Sequence, residues 1–457
     1  MKTKGINTKV KKRVAIIVLV TLLIGLMTAC GTKSTGSESN AYLSNQETTE
    51  SEETQDTNSE EATETASDTE GITGAGTSGN SGSVITTANV TSDGALDASS
   101  LFTERDLTQS VDLEGAETIS LKSGEDISIT KEGVYVIQGT ATDVTITVEA
   151  GDSDKVQLVL DGASITNEDA PAIYVINADK VFVTTTEGEN NLQVTGEFTP
   201  DGTTNLDAVI FSRDDVILNG LGTLNITSSA NGISGKDDVK ITGGTINIQC
   251  TADGVEANES ILMAEGTVNI STNKDGFHAE NDEDSTTGYI YICGGNITVD
   301  AADDAIHGTT IVQIDGGNLN LSGTEAIEAT YIQINDGTID IYATDDGINA
   351  SAKSNAYAIA IEFNGGYTTI EVGQGDTDAV DSNGDIYVNG GTLDIYAQSP
   401  FDYDGYAEMN GGTIIVNGVE TNEITNQMMG GGGFGGPGGG PGGVPGGGFG
   451  GHGGFGG

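Results

Sequence analysis

Residues 245–281 read TINIQCTADGVEANESILMAEGTVNISTNKDGFHAEN, and one phrase comes twice: Asp253-Gly254-Val255-Glu256-Ala257 and, 22 residues later, Asp275-Gly276-Phe277-His278-Ala279. Before each stands a strand of period-two alternation, with Ile246 and Ile248 in the first, Val268 and Ile270 in the second, and polar residues between. Outward from here the phrase recurs as Asp207-Ala208-Val209, Asn231-Gly232-Ile233, Asp304-Ala305-Ile306, Glu325-Ala326-Ile327, Asp346-Gly347-Ile348 and Asp378-Ala379-Val380, so that successive intervals are 24, 22, 22, 29, 21, 21 and 32. A basal unit of this length, enlarged by occasional loop insertions, is a repeat architecture.

Each phrase is followed by a short apolar-x-apolar strand, such as Val312 and Ile314 or Ile332 and Ile334. A glycine turn comes next: Gly243-Gly244, Gly294-Gly295, Gly316-Gly317, Gly365-Gly366, Gly390-Gly391 or Gly411-Gly412. A second strand after the turn puts Leu319 and Leu321, and Ile339 and Ile341, on the inside. One unit of three short strands cannot bury its apolar edge alone, whereas stacked units bury a continuous aliphatic column. The sequence therefore predicts an all-β fold, a right-handed parallel β-helix built as a single-stranded solenoid of about 21–22 residues per coil. Segments 133–139, 144–148, 156–160 and 181–185 are strands of the same kind, assigned to less regular first coils. Cys250 and Cys293 fall at different phases of the coil, so no disulfide between them is expected and both are read as free buried thiols.

The 457 residues include 69 Asp plus Glu against 17 Lys plus Arg, a net charge of -52, which excludes nucleic acid as a partner because phosphate binding needs the opposite sign. Six basic residues between Lys2 and Arg13 precede an apolar run from Val14 to Met27, too short for an ordinary spanning helix; residues 1–29 read as a lipoprotein signal peptide. The run ends in Leu26-Met27-Thr28-Ala29-Cys30-Gly31, which resembles a bacterial lipobox and makes Cys30 the expected lipidated first residue. Residues 30–100, rich in Ser, Thr and Glu, read as a disordered tether, residues 101–426 as the β-helix domain, and residues 427–457, dominated by glycine, as a disordered tail. The mature chain is expected as a monomer, lipid-anchored on the extracellular face of the bacterial cell membrane and touching the bilayer through the lipid only.

Consecutive coils stand roughly 4.8 Å apart, so residues of equal phase form columns. One column is Asp207, Asn231, Asp253, Asp275, Asp304, Glu325, Asp346 and Asp378; three residues on come Glu256, Glu328 and Asp381, with His278, His307 and Asn349 at the same phase of other coils. Neighbouring carboxylates at that spacing repel by roughly 1 kcal/mol in water and several-fold more near a protein surface. Clustered oxygens with few Lys or Arg partners suit Ca²⁺, which accepts about six to eight oxygens in adaptable geometry. Asp-Gly and Asn-Gly are also favoured at tight corners, where the side chain bonds nearby backbone. His278 and His307, with Glu256 and Glu328, form either a transition-metal site or ordinary polar positions of the repeat.

A second outward column, Asn225, Asn247, Asn269, Thr298, Asn320, Asp340, Glu371 and Asp394, runs beside Tyr342 and Tyr396. A flat face of amides, carboxylates and tyrosine rings can follow an extended polysaccharide, with Asn247, Asn269, Asn320, Asp340, Tyr342, Asp394 and Tyr396 as candidate contacts. A plain solvated face is the alternative.

The lipobox, the acidic tether, the segment LFTERDLTQSVD from Leu101 and the DGVEA, DGFHA, DAIHG and DGINA phrases together resemble the clostridial carbohydrate-binding lipoproteins with a calcium-containing right-handed β-helix, over residues 101–426. The resemblance implies binding of cellulose or polygalacturonan on a scaffold similar to that of β-helical polysaccharide lyases. It also implies Ca²⁺ held between neighbouring coils by Asp253, Asp275, Asp304 and Asp346, with Glu256, Glu325, Glu328, Asp378 and Asp381. The leading expectation is a non-catalytic cell-surface binder of such glycans, in which calcium stabilises the helix and bridges to acidic sugars. The second is a calcium-dependent polysaccharide lyase acting on uronans by β-elimination, with Lys274 as the base and Lys236 behind it. The third is a structural surface adhesin.

Overall fold

A strand of four or five residues with every second side chain aliphatic has one apolar edge to hide, and here each finds cover in the equivalent strand of the next coil. The computed structural model describes residues 96–426 except 282 and 376; Cys30, the signal segment, the tether up to residue 95 and the glycine-rich tail lie outside the described residues. Over this range the chain winds as a parallel β-helix with three strand-bearing faces per coil. The first face is a twelve-stranded sheet of short strands that includes Val255–Ala257, Phe277–Ala279, Ile306–Gly308, Ile327–Ala329, Ile348–Ala350 and Val380–Ser382. The second carries Ser260–Met263, Tyr289–Ile292, Ile311–Ile314 and Tyr331–Ile334. The third carries Thr245–Gln249, Thr267–Ser271, Asn296–Asp300, Asn318–Gly323, Thr338–Ala343, Tyr367–Val372 and Thr392–Tyr396.

Register runs through insertions without slipping: Val255 pairs with Phe277, Phe277 with Ile306 and Ile306 with Ile327, while on the third face Ile246 pairs with Val268 and Val268 with Ile297. The inward residues expected from the alternation, Ile246 through Ile341, are all buried. At the corner between the second and third faces, the second glycine of each pair takes a positive φ, 77° at Gly244, 91° at Gly295 and 101° at Gly317, which side chains rarely adopt. The Asp-Gly phrases need glycine for a different reason: a Cβ on Gly254 would stand 2.6 Å from the Gly276 carbonyl oxygen and 2.6 Å from Ile270.

Ahead of the first coil, residues 96–109 lie along the outside of the second face, over the in-register column Gln313, Tyr291, Leu262, Lys240, Ile217 and Phe182. The Leu96 N–H donates to Gln313 Oε1 (2.7 Å), Lys240 Nζ donates to the Leu101 carbonyl (2.9 Å), and the Arg105 guanidinium sits 4.5 Å from the centre of the Phe182 ring. Leu96 and Leu101 are buried with Leu262 and Tyr291, and Asp106 is fully buried with Lys180 3.8 Å away. Leu96–Ser100 is thus packed onto the helix, ahead of the boundary expected at Leu101. At the other end Val419–Thr421 pairs antiparallel with Thr413–Val416 and covers that edge. Cys250 is a free buried thiol, as expected; Cys293 is buried too but, against expectation, is not a free thiol.

Candidate functional site

The repeated phrase occupies the corner between the third and first faces, and its acidic side chains bind backbone across the coils. Asn231 Oδ1 accepts from the Asp253 N–H (2.8 Å), Asp253 Oδ1 from Asp275 (3.2 Å), Asp275 Oδ1 from Asp304 (3.0 Å) and Asp346 Oδ1 from Asp378 (2.8 Å). Corner chemistry is therefore one role of this column.

Three residues on, the register sets Ser234, Glu256, His278, His307, Glu328, Asn349, Asp381 and Asp402 in one line on the first face. Several of the few lysines converge here. Glu256 accepts from Asn231 Nδ2 (2.7 Å) and Ser234 Oγ (3.0 Å), with Lys236 Nζ 3.4 Å away. Lys274 Nζ lies 2.9 Å from Asp253 Oδ2 and 3.8 Å from Asp275 Oδ2, and Lys353 Nζ 2.8 Å from Glu328 Oε2. Asn349 Nδ2 donates to both Glu325 oxygens at 3.2 Å. His278 Nδ1 stands 3.3 Å from Asp275 Oδ2, and His307 Nδ1 3.2 Å from Asp304 Oδ2. Asp402 is the member the phrase does not reveal. Its coil carries Ser399-Pro400-Phe401-Asp402 in place of Asp378-Ala379-Val380-Asp381, and only the three-residue spacing survives as a signal.

Burial draws Lys274 down, but the hydrogen bond and charge of Asp253, with Asp275 and Glu256, outweigh it and hold the ammonium above the ordinary lysine value. For Asp253 burial pushes up, yet the bonds from His278 and Lys274 prevail and keep the carboxyl low. Other carboxyls go the opposite way. Burial, then Glu328 and Asp304, push Glu325 up to about 8; burial, then Asp346, Asp402 and Asp378, push Asp381 up to about 7; burial, offset in part by the Asp378 amide, pushes Asp346 up to about 6. These carboxyls hold protons more tightly folded than unfolded, so stability is lost as pH rises through their folded values. In chelator, the melting temperature is expected to fall between about pH 5 and pH 8; a thermal-denaturation series that is flat or rising over that window would contradict the assignment.

On the third face, Asn247 Nδ2 donates to Asn225 Oδ1 and Asn269 Nδ2 to Asn247 Oδ1, both at 2.8 Å. The column continues through Thr298, Asn320 and Asp340 to Thr369 and Asp394. Glu371, expected on that rung, instead pairs with Tyr342 and Tyr396 in the next column. The cause is Thr368, a buried inward residue that stands where other coils mark the phase with an aliphatic. Tyr342, Tyr367 and Tyr396, from three successive coils, are exposed by 48%, 43% and 44%. Tyr367 escapes a sequence reading because it directly follows the turn glycines. Its hydroxyl and that of Tyr396 both donate to Asp394 Oδ2, at 3.1 and 3.3 Å, which fixes two rings at their tips.

Comparison with known proteins places this geometry in context. A family model described as "Carbohydrate-binding domain-containing protein" matches residues 123–379. A relative of the same description from Acetivibrio thermocellus is 38% identical over 127 residues, 26% of this chain and 44% of the relative, so the match spans less than half of that protein. A solved structure described as the polysaccharide lyase-like protein from C. thermocellum, a gadolinium derivative, aligns with a TM-score of 0.42 and 28% identity over 51% of this chain and 96% of that one.

Proposed function

The chain belongs to the family of carbohydrate-binding domain-containing proteins, and from that premise we propose that it binds plant-type polysaccharide, cellulose or polygalacturonan, along its third face without cleaving it. The observation that carries this reading is the exposed trio Tyr342, Tyr367 and Tyr396, two of whose hydroxyls are held by Asp394. Pyranose rings offer apolar faces that stack on aromatics and hydroxyls that bond amides and carboxylates. Tyr342 and Tyr396 are two coils apart, roughly 10 Å at ordinary strand spacing, a separation suited to a linear glycan that presents the same face at every second sugar. The lyase reading is the weaker one: Lys274, between two carboxylates, is held as an ammonium and is the wrong protonation state for a base.

In this reading calcium is assigned to the C-terminal end of the corner, at Asp346, Asp378, Asp381 and Asp402. These are oxygen donors on neighbouring coils, and the groups that shift Asp346 and Asp381 are burial, backbone amides and other carboxylates. Bound there, Ca²⁺ would neutralise the cluster and offer open coordination to an acidic sugar. Asp253, Glu256 and Glu328, also expected as ligands, have lysine partners, and Glu325 has an amide partner. Display on the extracellular face of the cell membrane, to which the signal-type segment at residues 1–29 would direct the chain, completes the reading as a cell-surface receptor for glycan.

Pull-down on cellulose and on polygalacturonate, each with and without chelator, tests it. Retention on at least one glycan is expected, with polygalacturonate binding lost in chelator because a strongly acidic protein repels an acidic polymer unless a dication bridges them. Chelator-resistant binding to polygalacturonate would reject the bridge, and failure to bind either would reject the glycan.

A further inference from the structure

Two of the three histidines in the chain, His278 and His307, are register partners on the first face, and they bring nitrogen donors into an otherwise oxygen-rich line. Their rings stack with centroids 4.8 Å apart and planes inclined by 24°. One donor atom each of Asp275, His278 and His307 lies within 4.8 Å of the others, and the same holds for Asp304, His307 and Glu328. His278 Nδ1 is 3.3 Å from Asp275 Oδ2, with side chains only 11% and 4% exposed. Two donors that share a tetrahedral ion at about 2.1 Å stand roughly 3.4 Å apart, so this pair already has the required separation.

The neighbours orient the rings as metal ligands are oriented. His278 Nε2 is buried without a hydrogen-bond partner among the described residues, with Glu280 Oε2 3.3 Å away; Nδ1 faces Asp275 at 3.3 Å, Lys274 Nζ at 3.4 Å and Asp253 at 3.5 Å, and Asp304 Oδ2 is 3.2 Å from His307 Nδ1. A carboxylate on the far nitrogen fixes tautomer and ring angle in metal sites. Charge argues the same way. Around the two imidazoles five carboxylates, Asp253, Asp275, Glu280, Asp304 and Glu328, face two lysines: Lys274 Nζ is 2.9 Å from Asp253 and 3.4 Å from His278 Nδ1, from which a bound ion would displace it toward Asp253, and Lys353 is 2.8 Å from Glu328.

We propose that Asp275, His278 and His307 bind a divalent transition metal of the zinc type, with Asp304 against His307 and Glu280 and Glu328 beside the site. Imidazole nitrogen suits zinc, cobalt and nickel, whereas calcium takes oxygen. This site is separate from the calcium position assigned to Asp346, Asp378, Asp381 and Asp402, and it rests on different donors.

The test is titration of the chelator-stripped full chain with zinc by calorimetry in excess calcium, and with cobalt followed by visible absorption. One saturable zinc site per chain is expected, weakened at least about tenfold in His278→Asn and in His307→Asn and unchanged in Asp381→Asn. Cobalt should give visible d–d bands without the near-ultraviolet charge transfer of a thiolate ligand. Absence of saturable zinc binding and of cobalt bands in the unmodified protein would overturn the site, whatever the variants do. Binding undiminished in both histidine variants, or a thiolate signature, would overturn it as well. Calcium binding and glycan retention are read separately, so their failure leaves this result distinguishable.

Discussion

Replacing Phe277 with alanine is expected to cost about 3–5 kcal/mol of stability. Phe277 is 1% exposed and stacks in register between Val255 and Ile306, so truncation opens a void inside the column rather than at its rim. Strand pairing on either side holds the coils at fixed separation, which limits how far neighbours can close the gap. Because each coil touches mainly its neighbours, the defect weakens two interfaces and should broaden the urea transition as well as shift it. A loss under about 1 kcal/mol in equilibrium urea denaturation would mean that the interior collapses around the site and that the rigid stack is wrongly drawn.

Glycan affinity is expected to fall at least about tenfold when Tyr367 and Tyr396 are both changed to alanine, since each exposed ring contributes on the order of 1 kcal/mol. The melting temperature should hardly move, because the rings lie outside the core and, among the described residues, their hydroxyls bond Asp394. Affinity electrophoresis on the retained polysaccharide separates the two readouts. Unchanged retention would shift the binding surface away from the third face, and a large drop in melting temperature would assign the tyrosines a structural role instead.

The periodicity made the interior legible. Alternation at Ile246, Ile248, Val268 and Ile270 fixed which side of the strand faces in, and the buried columns follow it. The corner column was equally visible, because one short phrase marks each coil. What escaped lay where a coil breaks the pattern or where contact is distant in sequence. Thr368 replaced an aliphatic and disguised the phase of Glu371 and Tyr367. Ser399 and Pro400 erased the phrase that would have pointed to Asp402. Which acids are paired was not readable either: the partnership of Lys353 with Glu328 depends on an inserted loop whose path no local pattern specifies. The packing of Leu96 and Leu101 on the second face joins residues more than a hundred positions apart, as the bond from Lys240 to Leu101 shows.

That last contact has a mechanical consequence. Any tension transmitted through the chain ahead of Leu96 enters the rod beside Gln313, partway along its length, and not at either tip. A pull perpendicular to the rod would unzip the segment one anchor at a time, beginning with the Leu96 amide. A pull along the axis toward the C-terminal coils would load the Leu101, Arg105 and Asp106 anchors together. Held near its middle, the rod can lie crosswise to the tension, like a toggle on a cord, with its broad sides turned outward toward whatever lies beyond.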